Sequence, residues 1–261
     1  PSYTLPAGGY VVLCDDGSKP LLATYGPVID FSSFAITNAE GTIVLQNPEG
    51  AVIHSVSYSD TWYQSSYKVD GGWSLELIDP LNPCGEAVNW IACNNNDGGT
   101  PGTVNSVNAS NPDLFAPEIS RVGITDETHI TVWFSETCDS ATILNPANYF
   151  INNGIGSPLA VSLQSPDYRI AFLSLSVPLI NGTIYTLSTS GTIKDCAGNE
   201  ILSGSSAKFA IPSAVDVNDI VINELLYDAP TGCVDFIELF NRSSKVIDLQ
   251  ELVLSNYDTI S

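Results

Sequence analysis

The sequence predicts an all-β protein built of sandwiches. Two observations carry that prediction. Short runs alternate apolar and polar side chains with a period of two, and clusters of Gly, Pro, Asn and Asp stand between them. No stretch of a dozen residues holds the 3.6-residue apolar period of a helix with one buried face.

Taken in order, Gly9–Cys14 (GYVVLC) and Gly41–Gln46 (GTIVLQ) are the first strand-like runs, and the second ends in the turn NPEG. In His129–Ser135 (HITVWFS), Ile130, Val132 and Phe134 fall on one face, and Thr131 and Ser135 on the other. Thr183–Ser190 (TIYTLSTS) continues from the turn NGT. Near the C-terminus, VINELLYDAPTGCVDFIELFN (221–241) reads as two strands around a turn, with little chain left to cover them. Gly98–Glu118 is small, polar and Pro-rich, as a linker would be, and Ile211–Asp219 is a second, shorter one. The block between them has about 100 residues, the size of one immunoglobulin-like sandwich. The expected organisation is a first block over 1–106, a linker over 107–117, a middle block over 118–212, a linker over 213–219 and a last segment over 220–261. That last segment is too short to bury a core alone.

The chain has 261 residues, of which 44% are hydrophobic, enough for sizeable cores. Asp and Glu outnumber Lys and Arg 29 to 8, and the net charge of −21 repels phosphate backbones and anionic lipid. Nucleic acid and membrane insertion are therefore excluded as expected partners, and no apolar run approaches the roughly 18 residues of a membrane span. The chain opens at Pro1 without a signal-like stretch and contains no Met, as expected of an internal piece or a mature product. Six cysteines form an even set with no C-x-x-C pair, which favours disulfides and an oxidising, extracytoplasmic setting.

The middle block resembles the bacterial Ig-like domains of surface-layer and adhesin-type proteins. The residues that carry the resemblance are ITVWFSE (Ile130–Glu136), NPANYFI (Asn145–Ile151) and NGTIYTLSTSGTIKDCAGN (Asn181–Asn199). The two ends resemble a lamin-tail domain, also an Ig-like sandwich, in permuted order. Its opening motifs match Ile222–Glu224 and Asp235–Asn241, followed by Asp248–Asp258. Its later motifs match Pro6–Leu13, Gly41–Leu45, Ser74–Pro80, Asn89–Trp90 and Gly98–Gly102, at the front. Joining the end to the start gives LVLSNYDTIS followed by PSYTLPAGGYVVL, an uninterrupted lamin-tail segment. The sequence thus looks like one period of a lamin-tail/Ig-like alternation.

Catalytic patterns are nearly absent. His54 and His129 lie in different blocks without H-E-x-x-H, and there is no G-x-S-x-G elbow or P-loop. Glu76, in SLELIDP, reads as an outward strand position, and Glu238 shares a face with Val234 and Phe236, as a partly buried, hydrogen-bonded side chain would. Calcium is the more reasonable chemistry: DVND gathers Asp216, Asn218 and Asp219 at the second joint, where a hard cation takes oxygens from two sides. CNNNDGGT (Cys93–Thr100) lacks the first Asp and distal Glu of an EF-hand and reads as a turn. Many cysteine pairings are open. Cys84 and Cys93 flank a local loop, Cys138 and Cys196 share the middle block, and by elimination Cys14 is left for Cys233.

The function expected is a non-enzymatic, extracellular structural or adhesive protein of bacterial type, self-associating as a homo-oligomer or head-to-tail polymer and meeting a host-surface protein or glycan. The alternative is an accessory protein- or glycan-binding module of a secreted hydrolase. No cofactor is expected beyond calcium.

Overall fold

A computed structural model describes residues 3–32, 35–250 and 252–255. The front block holds six strands, β1 (Val12–Asp15), β2 (Val28–Phe31), β3 (Glu40–Gln46), β4 (Val52–Ser59), β5 (Leu75–Leu77) and β6 (Trp90–Ala92). Among the described residues they join only in twos: β1 with β2 in parallel, β3 with β4 and β5 with β6 antiparallel.

The middle block is an immunoglobulin-like sandwich. Its strands are β7 (Ile119–Asp126), β8 (His129–Phe134), β9 (Tyr149–Ile151), β10 (Ala160–Leu163), β11 (Ile170–Ser174), β12 (Tyr185–Thr189) and β13 (Ser206–Phe209). One sheet runs β10-β11-β8-β7 and the other β13-β12-β9, the four-plus-three strand order of constant-type domains. The alternation read from the sequence is the packing: Ile130, Val132 and Phe134 of β8 meet Leu173 of β11, and Tyr149, Ile151, Tyr185 and Leu187 close from the second sheet. The Tyr185 hydroxyl accepts the Ile180 amide at 2.8 Å, a tyrosine corner that fixes the entry to β12. In the four-stranded sheet, Gly123 of β7 makes room for the Trp133 ring of β8, because a Cβ there would lie 2.9 Å from it.

The last segment holds β14 (Ile220–Leu226) and β15 (Phe236–Asn241), an antiparallel pair that no third strand joins among the described residues. A register shift between Ile222 and Glu224 redistributes its side chains. Ile222 lies opposite Leu239 and Leu225 opposite Ile237, whereas Val221 lies opposite Phe240 and Leu226 opposite Phe236. Cross-strand partners share a face, so both faces of this hairpin are apolar. Glu238 faces Glu224 across the ladder and takes the Asn223 side-chain amide; it is exposed, not partly buried.

Burial divides the molecule unevenly. Among the described residues, the buried apolar side chains of the front block are Cys14, Ala92 and Cys93, and the last segment has none, whereas the middle block has a full core.

Candidate functional site

The first joint is where the chemistry collects. In the front block, β5 and β6 form a hairpin whose loop is built by side-chain amides. Asn89, fully buried, accepts the Asp79 amide at 3.0 Å and donates to Asp79 O at 2.8 Å and Asn82 O at 2.6 Å. The Asn111 side-chain amide donates to the same Asn89 oxygen at 3.0 Å, and the Asn111 N–H donates to Asp79 Oδ2 at 2.7 Å. Ala109 N–H donates to Ile78 O at 3.1 Å. The residues that read as a linker are therefore laced along the β5–β6 loop. Asp79 is held below the usual carboxylate range by the amides of Asn111 and Leu81.

Glu76 corrects its sequence reading. It is buried, because the returning chain lays Ser106 and Thr100 across it; the Ser106 hydroxyl donates at 2.7 Å and Thr100 bonds the other oxygen. Burial raises its pKa and these donors more than reverse that, so it stays ionised more readily than an ordinary Glu. Gly98 and Gly102 make the close return possible, at φ +83° and +77°; a Cβ on them would meet Gly72 O at 2.1 Å and Tyr25 O at 1.7 Å. The CNNNDGGT stretch is a turn closed by Gly98 N–H on Asn95 O at 3.0 Å.

The amide-built loop carries Cys84 toward the middle sandwich, where it is disulfide-bonded to Cys196 with the Cα atoms 6.1 Å apart. This overturns the pairing of Cys84 with Cys93 and of Cys138 with Cys196. Cys84 sits in the β5–β6 loop, whereas Cys93 follows the far end of β6, so the strand itself keeps them apart. Cys93 is fully buried and its sulfur accepts the Asn95 amide at 3.2 Å. Cys138 is a buried thiol in the middle core. Cys14, buried on β1, and Cys233, exposed in the β14–β15 turn, are also free, so the link between them is not made within this chain.

Around the bridge, Arg169 pairs with Glu86, and Asn199 donates to Asp113 O at 3.3 Å. Asp113, Glu136 and Asp195 bring one carboxylate oxygen each within 4.8 Å of one another. Asp195 is spoken for, accepting the amides of Gly198 at 2.6 Å and Asn199 at 2.8 Å. Glu136 is half-buried; burial first, then Asp113 and Asp195, push its pKa up to about 7, with Arg169 opposing. The sequence reading missed this cluster, whose members lie in the linker, after β8 and in the DCAGN loop. Beside it, a cavity of about 230 Å³ is lined by His54, Cys84, Trp90, Cys138, Tyr168 and Cys196 among others. The ring of His54 donates through Nε2 to Pro83 O at 3.1 Å.

At the second joint the structure brings Asp216 and Asp219 together around an internal cation. Lys245 Nζ lies 2.5 Å from Asp216 Oδ2 and 2.8 Å from Asp219 Oδ2, and also donates to Ala214 O at 3.3 Å. Asp219 is lowered and Lys245 raised by this contact. Asn218 stands between them at φ +69°. A calcium ion taking these oxygens has to displace the ammonium. His129, at the β7–β8 turn, lies 2.8 Å from Asp126.

No helix among the described residues is long and apolar enough to cross a membrane. No curated protein matches the chain. Among solved structures, "Crystal structure of the S-layer protein rSbsC(31-844)" is 29% identical over 42% of this chain and 15% of that one, with a TM-score of 0.33. "Crystal structure of the N-terminal part of the bacterial S-layer protein SbsC" is 29% identical over 42% and 26%, with a TM-score of 0.33. "Structure of surface layer protein SbsC, domains 1-6" is 28% identical over 42% and 16%, again at 0.33. The match therefore spans between 15% and 26% of the length of those proteins. Residues 106–210, which contain the whole seven-stranded sandwich, match the family model described as the bacterial Ig-like domain.

Proposed function

We propose that this chain is a non-enzymatic, extracellular structural or adhesive unit of a bacterial surface, and that copies join head-to-tail by strand complementation. The observation that carries the reading is the uncovered hairpin. Ile222, Leu225, Phe236 and Phe240 are 55%, 56%, 43% and 54% exposed, on both faces of a two-stranded sheet. Isolated hairpins are marginal in water, and three strands or a packed layer are needed for stability. The front block has the complementary deficit: three separate strand pairs and almost no apolar core. The lamin-tail motifs divide between these two pieces, so each is read as the missing part of the other. Donor and acceptor surfaces differ, and a heterologous contact propagates as a filament unless it closes into a ring. The bacterial Ig-like match of the middle block and a disulfide fit an oxidising cell exterior.

Deleting 216–261 tests this. The shortened chain is expected to lose assembly in sedimentation and to expose its front block to protease. The 216–261 peptide added back is expected to restore protection while capping growth. A shortened chain that stays protected, together with a full chain that sediments as a monomer at all concentrations, refutes the reading.

A further inference from the structure

The two faces of the β14–β15 hairpin differ in charge. The face that carries Phe236 and Phe240 also carries Glu224 and Glu238. The other sets Ile222 opposite Leu239, Leu225 opposite Ile237 and Ile220 opposite Asn241, with no ionisable side chain on it. In a chain with 29 Asp and Glu, this second face can be dried without burying a carboxylate, and the first cannot. Its four central side chains, Ile222, Leu225, Ile237 and Leu239, are about half exposed.

The front block holds a matching hollow. Ile43 and Val56, cross-strand partners on β3 and β4, and Leu75 and Trp90, which share a face of β5–β6, line a cavity of about 370 Å³. Two strand pairs thus turn apolar side chains into one space, and a sandwich core needs a further layer over such a space. The phenol groups on its wall are already engaged: the Tyr58 hydroxyl donates to Thr37 O and the Tyr63 hydroxyl to Trp73 O, each at 2.8 Å. Among the described residues, Asp60 is the single charged side chain on that wall. An apolar cover therefore strands neither phenol there.

We propose that the charge-free face of β14–β15 docks over this cavity, and that the cavity belongs to a second copy of the chain. This docking rests on the head-to-tail reading and gives that contact its residues. Ile222, Leu225, Ile237 and Leu239 supply the layer over Ile43, Val56, Leu75 and Trp90, while Glu224 and Glu238 stay in water on the outward face. The attachment points favour a second copy over the same one. The front block is bridged to Cys196, in the loop that follows the end of β12, whereas the last segment departs after Phe209, which pairs with Tyr185 at the start of β12. The base of the hairpin is held near that departure: Ser213 N–H donates to Val246 O at 2.8 Å, Arg242 N–H donates to Asp219 O at 2.9 Å, and Lys245 pairs with Asp216 and Asp219. To reach its own front block the hairpin has to span the sandwich; the front block of a copy set end to end requires no such reach. Donor and acceptor surfaces differ, so the contact repeats.

Sedimentation of full-length chains tests this. Leu239, Phe240 and Ile43 are each about half exposed, so an Asp at any of them leaves the existing core untouched. Leu239→Asp charges the docking face and is expected to lose assembly. Phe240→Asp adds the same charge one residue away, on the outward face, and is expected to keep it. Ile43→Asp charges the acceptor and is expected to stay monomeric. An equal mixture of the Leu239→Asp and Ile43→Asp chains is expected to stop at a dimer, because the first keeps its acceptor and the second its donor. Assembly lost in Phe240→Asp as fully as in Leu239→Asp, or a mixture that forms no dimer, overturns the docking; the head-to-tail reading survives that result as long as the wild type assembles and the chain lacking 216–261 does not. A wild type that is monomeric at every concentration removes both readings. If Leu239→Asp then opens the front block of that monomer to protease, the hairpin sits on its own chain and the second copy is excluded.

Discussion

Replacing Asn89 by alanine is expected to unfold the front block selectively. Asn89 is fully buried and makes four hydrogen bonds: it accepts from Asp79 N–H and the Asn111 amide and donates to the carbonyls of Asp79 and Asn82. A typical internal hydrogen bond contributes about 1 kcal/mol net, and stranding a buried partner costs about 1–3 kcal/mol. Four bonds lost together, with the Asp79 amide left without its acceptor, amount to roughly 4 kcal/mol on that scale. A block with almost no apolar core has little reserve against such a loss. Tryptophan fluorescence in urea reads the effect, since Trp62, Trp73 and Trp90 belong to the front block and Trp133 to the middle one. Measured in a Trp133→Phe background, the front transition is expected to fall to low urea, while a far-ultraviolet circular dichroism transition of the sandwich stays in place. A front transition displaced by less than about 1 kcal/mol, the size of a single bond, would sink the argument that this amide network organises the loop.

Gly102→Ala is expected to abolish the front transition, because its methyl group would sit 1.7 Å from Tyr25 O; Gly50→Ala, also at positive φ but with open space around it, is expected to cost about 1 kcal/mol of strain. Glu136 sets a pH dependence. Its folded pKa of about 7 lies above its ordinary 4.5, so the unfolded chain releases a proton between those values that the folded chain keeps. Stability therefore falls as pH rises from about 4.5 to about 7 and levels off above, and Glu136→Gln is expected to flatten that slope in melting curves. Lys245→Ala leaves Asp216 and Asp219 without their cation, so millimolar calcium is expected to raise the melting temperature of the variant more than that of the wild type. Equal shifts in both chains would remove Asp216, Asn218 and Asp219 as ligands.

The middle sandwich was legible because its information is local. Alternation in HITVWFS and TIYTLSTS puts the same side chains inward that the core uses, and even Tyr185 lies in a motif singled out from the sequence. Features that depend on a second segment returning were not. Glu76 alternates outward on β5, and only the return of Thr100 and Ser106 over it makes that side interior. The disulfide joined cysteines 112 residues apart, and no local spacing encodes how a loop of one block meets the DCAGN turn of the other. The bulge at Asn223 is a third case. Reading β14 as an unbroken period-two strand sets Ile220 and Ile222 beside Phe236 and Phe240, while the register shift sends Phe236 and Phe240 to the opposite face.

That register shift has a consequence for how a crowd of these molecules behaves. By setting Glu224 directly across from Glu238, it plants two like charges in the middle of one apolar face. Hairpins from two copies stacked on that face would bring four carboxylates into a dehydrated contact, at a cost that their phenylalanines do not offset. Asp228 and Asp235 flank the connecting turn and add to the repulsion. On that face the hairpin is thus sticky toward a surface able to give those carboxylates hydrogen-bond donors and repelled by its own image. Natural strands place acidic gatekeepers to the same end, keeping an exposed hydrophobic segment soluble until its intended neighbour arrives.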